Sequence, residues 1–122
     1  MKRILVVDDS PSVRQQVSMS LTQAGYDVVE AGDGTEGVSK IASDRAIGLV
    51  ICDVNMPRMN GLEMIEVVKK EPSNASLPII VLTSEGQPAL IERAKKAGAK
   101  GWIVKPFKAD LLVAAVKKLL AA

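Results

Sequence analysis

Short, unbroken runs of aliphatic residues recur along this chain, each separated from the next by enough residues for one helix. The runs are Ile4-Leu5-Val6-Val7, Val28-Val29, Leu49-Val50-Ile51-Cys52, Ile79-Ile80-Val81-Leu82 and Trp102-Ile103-Val104. All but the second are continuous rather than alternating, the pattern of parallel strands buried on both faces. The intervening stretches have helical periodicity and helical punctuation. Ser10-Pro11 opens the first, with Val13, Val17 and Leu21 on one face and Gly25 beyond its end. The second begins near Asp33-Gly34 and carries Val38 and Ile41. The third follows Asn60-Gly61 with Leu62, Ile65 and Val68 inward and ends before Pro72. The fourth spans about Pro88 to Ala97 and stops at Gly98. The fifth runs from about Ala109 to the C-terminus with Leu112, Val116 and Leu119 or Leu120 inward. The order βαβαβαβαβα predicts a parallel sheet covered by helices on both sides, with right-handed crossovers. The stretch from Glu71 to Ser76 reads as a surface loop.

Composition narrows the function classes. A chain of 122 residues with no repeat or linker predicts one domain over residues 1–122. Tyr26, Trp102 and Phe107 are its only aromatic residues, so the core must be aliphatic and there is no stacking platform for single-stranded nucleic acid. A net charge of +2 without a basic block points away from nucleic acid. No apolar run reaches membrane-spanning length and no secretory signal follows Met1-Lys2-Arg3, so a cytoplasmic protein, independent of membranes, is expected. Cys52 is the only cysteine and reads as a small buried hydrophobe. The chain has no histidine, which removes Ser-His-Asp and Cys-His nucleophilic sites and every histidine-ligated metal.

What remains is carboxylates, hydroxyls, lysine and a hard metal. In an open α/β sheet, ligands bind beyond the carboxyl ends of the strands. The first run is followed by Asp8-Asp9-Ser10, the third by Asp53, the fourth by Thr83-Ser84 and the fifth by Lys105-Pro106; Ala31-Gly32-Asp33 after the second offers nothing distinctive. If those four strands are neighbours, three carboxylates, a hydroxyl and an ammonium converge. Two like charges about 4 Å apart repel by roughly 4 kcal/mol at an effective dielectric near 20. A divalent cation such as Mg2+ relieves that repulsion and keeps coordination positions for phosphate oxygens. Asp53, alone at the end of a strand, is the candidate nucleophile for an acyl phosphate. Asp8 and Asp9 form a metal-binding pair, and Thr83 and Lys105 can meet phosphoryl oxygens.

With Val7-Asp8-Asp9-Ser10, Asp53-Val54-Asn55-Met56-Pro57-Arg58-Met59-Asn60-Gly61, Leu82-Thr83-Ser84 and Lys105-Pro106-Phe107 in order, the sequence resembles the receiver domains of two-component response regulators, and within them the stand-alone chemotaxis regulators. The resemblance covers essentially the whole chain. It implies a flavodoxin-like (βα)5 three-layer sandwich with sheet order 2-1-3-4-5. It implies that Asp53 is the phosphoacceptor, and that Mg2+ (or Mn2+) is held by Asp8, Asp9, Asp53 and the backbone carbonyl of Asn55. Thr83 and Lys105 would bind phosphoryl oxygens, and the Lys105-Pro106 bond would be cis. The implied partners are a sensor histidine kinase as phosphodonor, a downstream target such as a flagellar motor switch component, and a phosphatase. The acceptor itself would be a monomer without an output domain, acting by docking. The resemblance links Thr83 to an aromatic switch at Trp102, where the familiar pattern has tyrosine, and to a docking face that includes Ile91. It also makes Asn55 and Glu85 candidates for tuning the phosphoryl lifetime.

Each fragment has a plainer reading by itself. Asp8-Asp9 suits a helix start, Thr83-Ser84 a cap, Trp102 partial core, and Met56 and Met59 loop packing. Their joint placement at matching strand ends favours a site. A haloacid-dehalogenase-like phosphatase also forms an aspartyl phosphate, but it carries Asp-x-Asp on its first strand and a cap domain. No Gly-rich nucleotide loop is present. A phosphorelay intermediate or adaptor outside chemotaxis is the nearest alternative within the same family.

Overall fold

Strands and α-helices alternate along residues 3–121, the part of the chain that the computed structural model describes. In chain order they are β1 (Arg3–Val7), α1 (Pro11–Gln23), β2 (Asp27–Ala31), α2 (Gly34–Ser43), β3 (Ile47–Cys52), α3 (Gly61–Lys70), β4 (Ile79–Thr83), α4 (Pro88–Ala97), β5 (Gly101–Val104) and α5 (Ala109–Ala121). All strands are parallel, in the order β2-β1-β3-β4-β5. This is the expected flavodoxin-like sandwich. Ala122, the end of the fifth expected helix, lies outside the described residues.

The continuous aliphatic runs have a direct structural cause. Successive strand residues point to opposite faces, and here both faces are covered. Ile4, Val6, Leu49, Ile51, Ile80 and Leu82 pack with Val17 and Leu21 of α1 and Leu112 and Val116 of α5. Leu5, Val7, Val50, Cys52, Ile79 and Val81 pack with Ile41 of α2, Leu62, Ile65 and Val68 of α3 and Ala94 of α4. β5 departs from this pattern. It pairs only with β4, and its Val104 is half exposed, because an edge strand has helix cover on less of its surface.

Helix starts follow the sequence signals. Ser10 accepts the Val13 N–H at 3.4 Å ahead of Pro11. Asn60 and Glu63 form a reciprocal capping box, with bonds of 2.9 and 3.0 Å. The segment from Glu71 to Ser76 is more ordered than a plain loop. It contains a 3-10 turn, Pro72–Asn74, and Asn74 Nδ2 donates to the Val68 carbonyl at 3.1 Å. Lys69 Nζ donates to the carbonyls of Asn74, Ala75 and Leu77 at 3.1, 3.2 and 2.6 Å, so a cation takes the place of water on this loop. No described helix is long and apolar enough to cross a membrane.

Gly61 joins the fold to the carboxyl end of the sheet. A Cβ there would lie 1.9 Å from the Asp53 carbonyl oxygen, so only glycine lets α3 begin this close to the end of β3. Its N–H donates to the Val54 carbonyl at 3.0 Å. Gly61→Ala is expected to cost about 2–3 kcal/mol or more, as overpacking against backbone does. A Cβ at Gly86 meets nothing within 4 Å, and Gly86→Ala should stay within about 0.5 kcal/mol of the parent. Thermal unfolding of the two variants checks this; equal midpoints would contradict it.

Candidate functional site

Asp8, Asp53 and Lys105 each sit one step beyond a strand and are held by a continuation of the ladder, while Thr83 is the last residue of β4. The Asp8 N–H donates to the Ala31 carbonyl at 3.1 Å, the Asp53 N–H to the Val7 carbonyl at 3.0 Å, and the Lys105 N–H to the Thr83 carbonyl at 2.8 Å. Because β1, β3, β4 and β5 are successive neighbours, their ends form one pocket. Lys105 Nζ lies at its centre, donating to Asp53 Oδ2 at 2.8 Å and to Asp8 Oδ2 at 2.9 Å. Asp53 Oδ1 accepts the Val54 N–H at 2.6 Å and, more weakly, the Asn55 N–H at 3.4 Å. Asp8 Oδ1 accepts the Ser10 N–H at 2.9 Å. Thr83 is fully buried, and its Oγ1 accepts the Glu85 N–H at 3.3 Å. The Lys105-Pro106 peptide bond is cis.

Asp9 is exposed at the mouth of the pocket. Asp8, Asp9 and Asp53 each present a carboxylate oxygen within 4.8 Å of the others. Three hard oxygen donors at that spacing suit Mg2+ or Mn2+ and do not suit a soft metal. Asn55 and Glu85 meet across the same mouth, with Asn55 Nδ2 donating to Glu85 Oε1 at 2.9 Å. The Glu85 carbonyl accepts the Trp102 indole N–H at 3.0 Å, so one residue touches both the pocket rim and Trp102. Trp102 and Ile91 are both half-buried and line a small cavity of about 70 Å³ between α4 and β5.

Residues 4–117 match the response regulator receiver domain family. The chain belongs to that family. It is 41% identical over 119 residues to the chemotaxis protein CheY of Thermotoga maritima, covering 97% of each chain. Among solved structures it resembles the Vibrio cholerae chemotaxis protein CheY4, with a TM-score of 0.91, 40% identity and 98% of both chains covered. It also resembles a CheX–CheY–BeF3–Mg2+ complex from Borrelia burgdorferi, with a TM-score of 0.90 and 27% identity over 98% of this chain and 89% of that one.

Burial sets the electrostatics of this receiver. Burial pushes the Asp8 carboxyl above the usual carboxylate range, against the lowering effect of the Ser10 N–H and of Lys105. For Lys105 burial acts to lower the pKa, but the hydrogen bonds and charges of Asp53 and Asp8 outweigh it and the ammonium is held above the usual lysine value. Cys52, directly before Asp53, is fully buried, and burial with the two nearby carboxylates pushes its thiol up to about 12.

Several residues that shape the receiver site carried no signal in the sequence. Asp33 is almost wholly buried. It caps α2 by accepting the Glu36 N–H at 2.9 Å and also accepts Arg58 Nε at 2.8 Å and Arg58 Nη2. Arg58 has φ +65°, and the Met59 N–H donates to the Pro57 carbonyl at 2.7 Å across it, a γ-turn in the β3–α3 loop. Arg14 Nη1 donates to the Asp8 carbonyl at 2.5 Å and its Nε to Glu30 Oε1 at 3.2 Å. The sequence marked Asp33 only as lying near the start of the second helix, and nothing local tied it or Arg14 to the pocket, since both contacts close only when distant loops meet.

The raised Asp8 pKa has a definite sign. The native state holds this proton more tightly than the unfolded state, so the group lowers stability as pH rises through the window from the ordinary Asp value to the raised one. In metal-free buffer Asp8→Asn should therefore melt above the parent at neutral pH. The gain should vanish below about pH 4, where Asp is protonated in both states. Lys105 has the opposite sign: its contribution is present below the ordinary lysine pKa and is lost only as pH rises through the raised value. Melting curves across pH check both signs, and an Asp8→Asn variant less stable at neutral than at acidic pH, relative to the parent, would contradict the first.

Proposed function

We propose that this chain is a phosphorylation-controlled switch: a sensor histidine kinase on another protein delivers a phosphoryl group to Asp53, and the phosphorylated form docks onto a target in chemotaxis or flagellar motor control. The observation that carries this reading is the single Lys105 ammonium shared by Asp8 and Asp53 at adjoining strand ends. It gathers a nucleophile, two further acids and a cation in one pocket, which is what phosphoryl transfer to a carboxylate requires. The similarity to chemotaxis proteins along nearly the whole chain supports the cellular role.

Asp8, Asp9, Asp53 and the Asn55 backbone carbonyl are the groups that would hold Mg2+ or Mn2+. Bound there, the ion neutralises the acids and the phosphoryl oxygens, which lowers the repulsion between nucleophile and donor. In the transfer, a bond forms between an Asp53 carboxylate oxygen and phosphorus. The bond from phosphorus to the donor's leaving group breaks, and that group departs with the electron pair. Formation of the acyl phosphate removes the carboxylate charge that Asp53 offers Lys105, so the ammonium turns to a phosphoryl oxygen. The Thr83 hydroxyl accepts from the Glu85 N–H and retains its own proton to donate to another phosphoryl oxygen. Movement of Thr83 reaches Trp102 through Glu85, whose carbonyl binds the indole. The docking face includes Ile91 and Trp102. Trp102 has no hydroxyl, so its readout is steric and through its N–H. A phosphatase is the partner class that ends the signal.

Incubation with Mg2+ and acetyl phosphate, followed by intact mass measurement, should add one phosphoryl group to the parent. Asp53→Ala protein should gain none, and chelator should abolish uptake. A parent that stays unmodified, or an Asp53→Ala variant that is modified equally, would overturn the assignment. Replacing Asn55 or Glu85 should change the lifetime of the phosphorylated form by several-fold without preventing its formation, since both lie at the rim; unaltered decay would remove them as tuning residues.

A further inference from the structure

The β3–α3 loop contains a conformation that its sequence does not favour. Arg58 is the only non-glycine residue with positive φ among the described residues. The γ-turn it occupies is rare and strained for a residue with a Cβ. Such a turn persists only where its surroundings hold it. Here the surroundings are specific. The Arg58 guanidinium, itself exposed, reaches back to Asp33, whose side chain is 2% exposed and lies at the start of α2. The next residue, Met59, offers its carbonyl to the Gly34 N–H at 3.1 Å. Gly34 admits this contact because it has no Cβ; one would lie 2.6 Å from that carbonyl oxygen. The far end of the loop is therefore bound to the α2 N-terminus by an ion pair and a backbone hydrogen bond on adjacent residues. The near end of the same loop carries the Val54 and Asn55 N–H groups that hold Asp53 Oδ1.

We propose that the Arg58–Asp33 pair is a clamp that holds the β3–α3 loop in its γ-turn and so fixes Asn55 and the Asp53 carboxylate for metal binding, which makes Arg58 and Asp33 positioning residues. The proposal rests on the reading of the acidic pocket as a Mg2+ site. Arg58 lies outside the pocket and acts through the backbone. Partners of this kind, which orient ligands without touching the metal, commonly change metal affinity by about 10- to 100-fold. A residue that only stabilised α2 would leave that affinity alone.

Glycine separates the two roles, because it adopts positive φ freely. Mn2+ binding to Arg58→Ala, Arg58→Gly, Asp33→Asn and parent protein should be measured well below their melting temperatures. The free ion is quantified by electron paramagnetic resonance. Arg58→Ala is expected to bind roughly 10-fold more weakly than the parent. Arg58→Gly should retain near-parent affinity despite losing the guanidinium. Asp33→Asn keeps the helix cap but not the charge and should fall towards Arg58→Ala. A metal-free readout runs in parallel: exchange of the Met59 amide, the donor in the γ-turn, should quicken in Arg58→Ala and not in Arg58→Gly. Equal Mn2+ affinity in all four proteins, or equal losses in Arg58→Ala and Arg58→Gly, overturns the clamp. Should Arg58→Ala not fold, the comparison of Arg58→Gly and Asp33→Asn with the parent decides it: near-parent and weakened affinity respectively support the clamp, and any other order overturns it. A parent that binds no Mn2+ overturns the metal site and the clamp with it, whereas a parent that binds while the variants are unaffected overturns only the clamp.

Discussion

One ammonium held between two buried carboxylates governs the carboxyl end of this molecule. Asp8 and Asp53 follow β1 and β3, and Lys105 follows β5, so its side chain must reach past the end of β4 to touch both. A long flexible stem with a compact charge is suited to that span. The requirement runs back into the fold. The two acids can share a cation only if β1 and β3 are adjacent, and the cation can arrive only if β4 and β5 extend the sheet on the same side. Removing Lys105 leaves two carboxylates in a poorly solvated place without the cation they share, a much larger penalty than the pair's net gain.

The opposite end of the sheet is built on other terms. There Arg3 pairs with Asp27 and Asp44 in contacts largely open to water, and Lys69 binds backbone carbonyls. Exposed pairs of that kind contribute little. Apart from Thr83 at the end of β4, the buried strand positions are all apolar among the described residues. Charge with restricted solvation is therefore concentrated where the strands finish, with Asp33 beside it. The arrangement concentrates electrostatic cost at the pocket and leaves the rest of the surface free of it.

Much of this was legible in the sequence because it is written in strict periodicities. Unbroken aliphatic runs report strands covered on both faces, and the first polar residue after each run reports the strand end; Asp8, Asp53, Thr83 and Lys105 were all found that way. The sheet order was not periodic information and came from the family resemblance. Contacts between loops were illegible. Arg58 in a γ-turn opposite Asp33, the Asn55–Glu85 bond, and the Trp102 indole on the Glu85 carbonyl each depend on two segments meeting. Nothing in either segment alone marks them. The stretch from Glu71 to Ser76 reads in the sequence only as a surface loop because its 3-10 turn is held by Lys69 and Asn74 binding backbone, which leaves no apolar pattern. The exposure of Val104 followed from β5 being at an edge, which composition cannot reveal.

The solitary thiol of Cys52 lies sealed in the interior one residue before the phosphoacceptor candidate, with its ionisation pushed far above physiological pH. A thiol in that state is a poor nucleophile and is out of reach of alkylating reagents. The natural chain thus behaves as a cysteine-free background in maleimide chemistry. A cysteine placed on any exposed position of α4 or α5 would be the sole handle for a dye or spin label, so distance measurements on those helices need no prior removal of native sulfur chemistry.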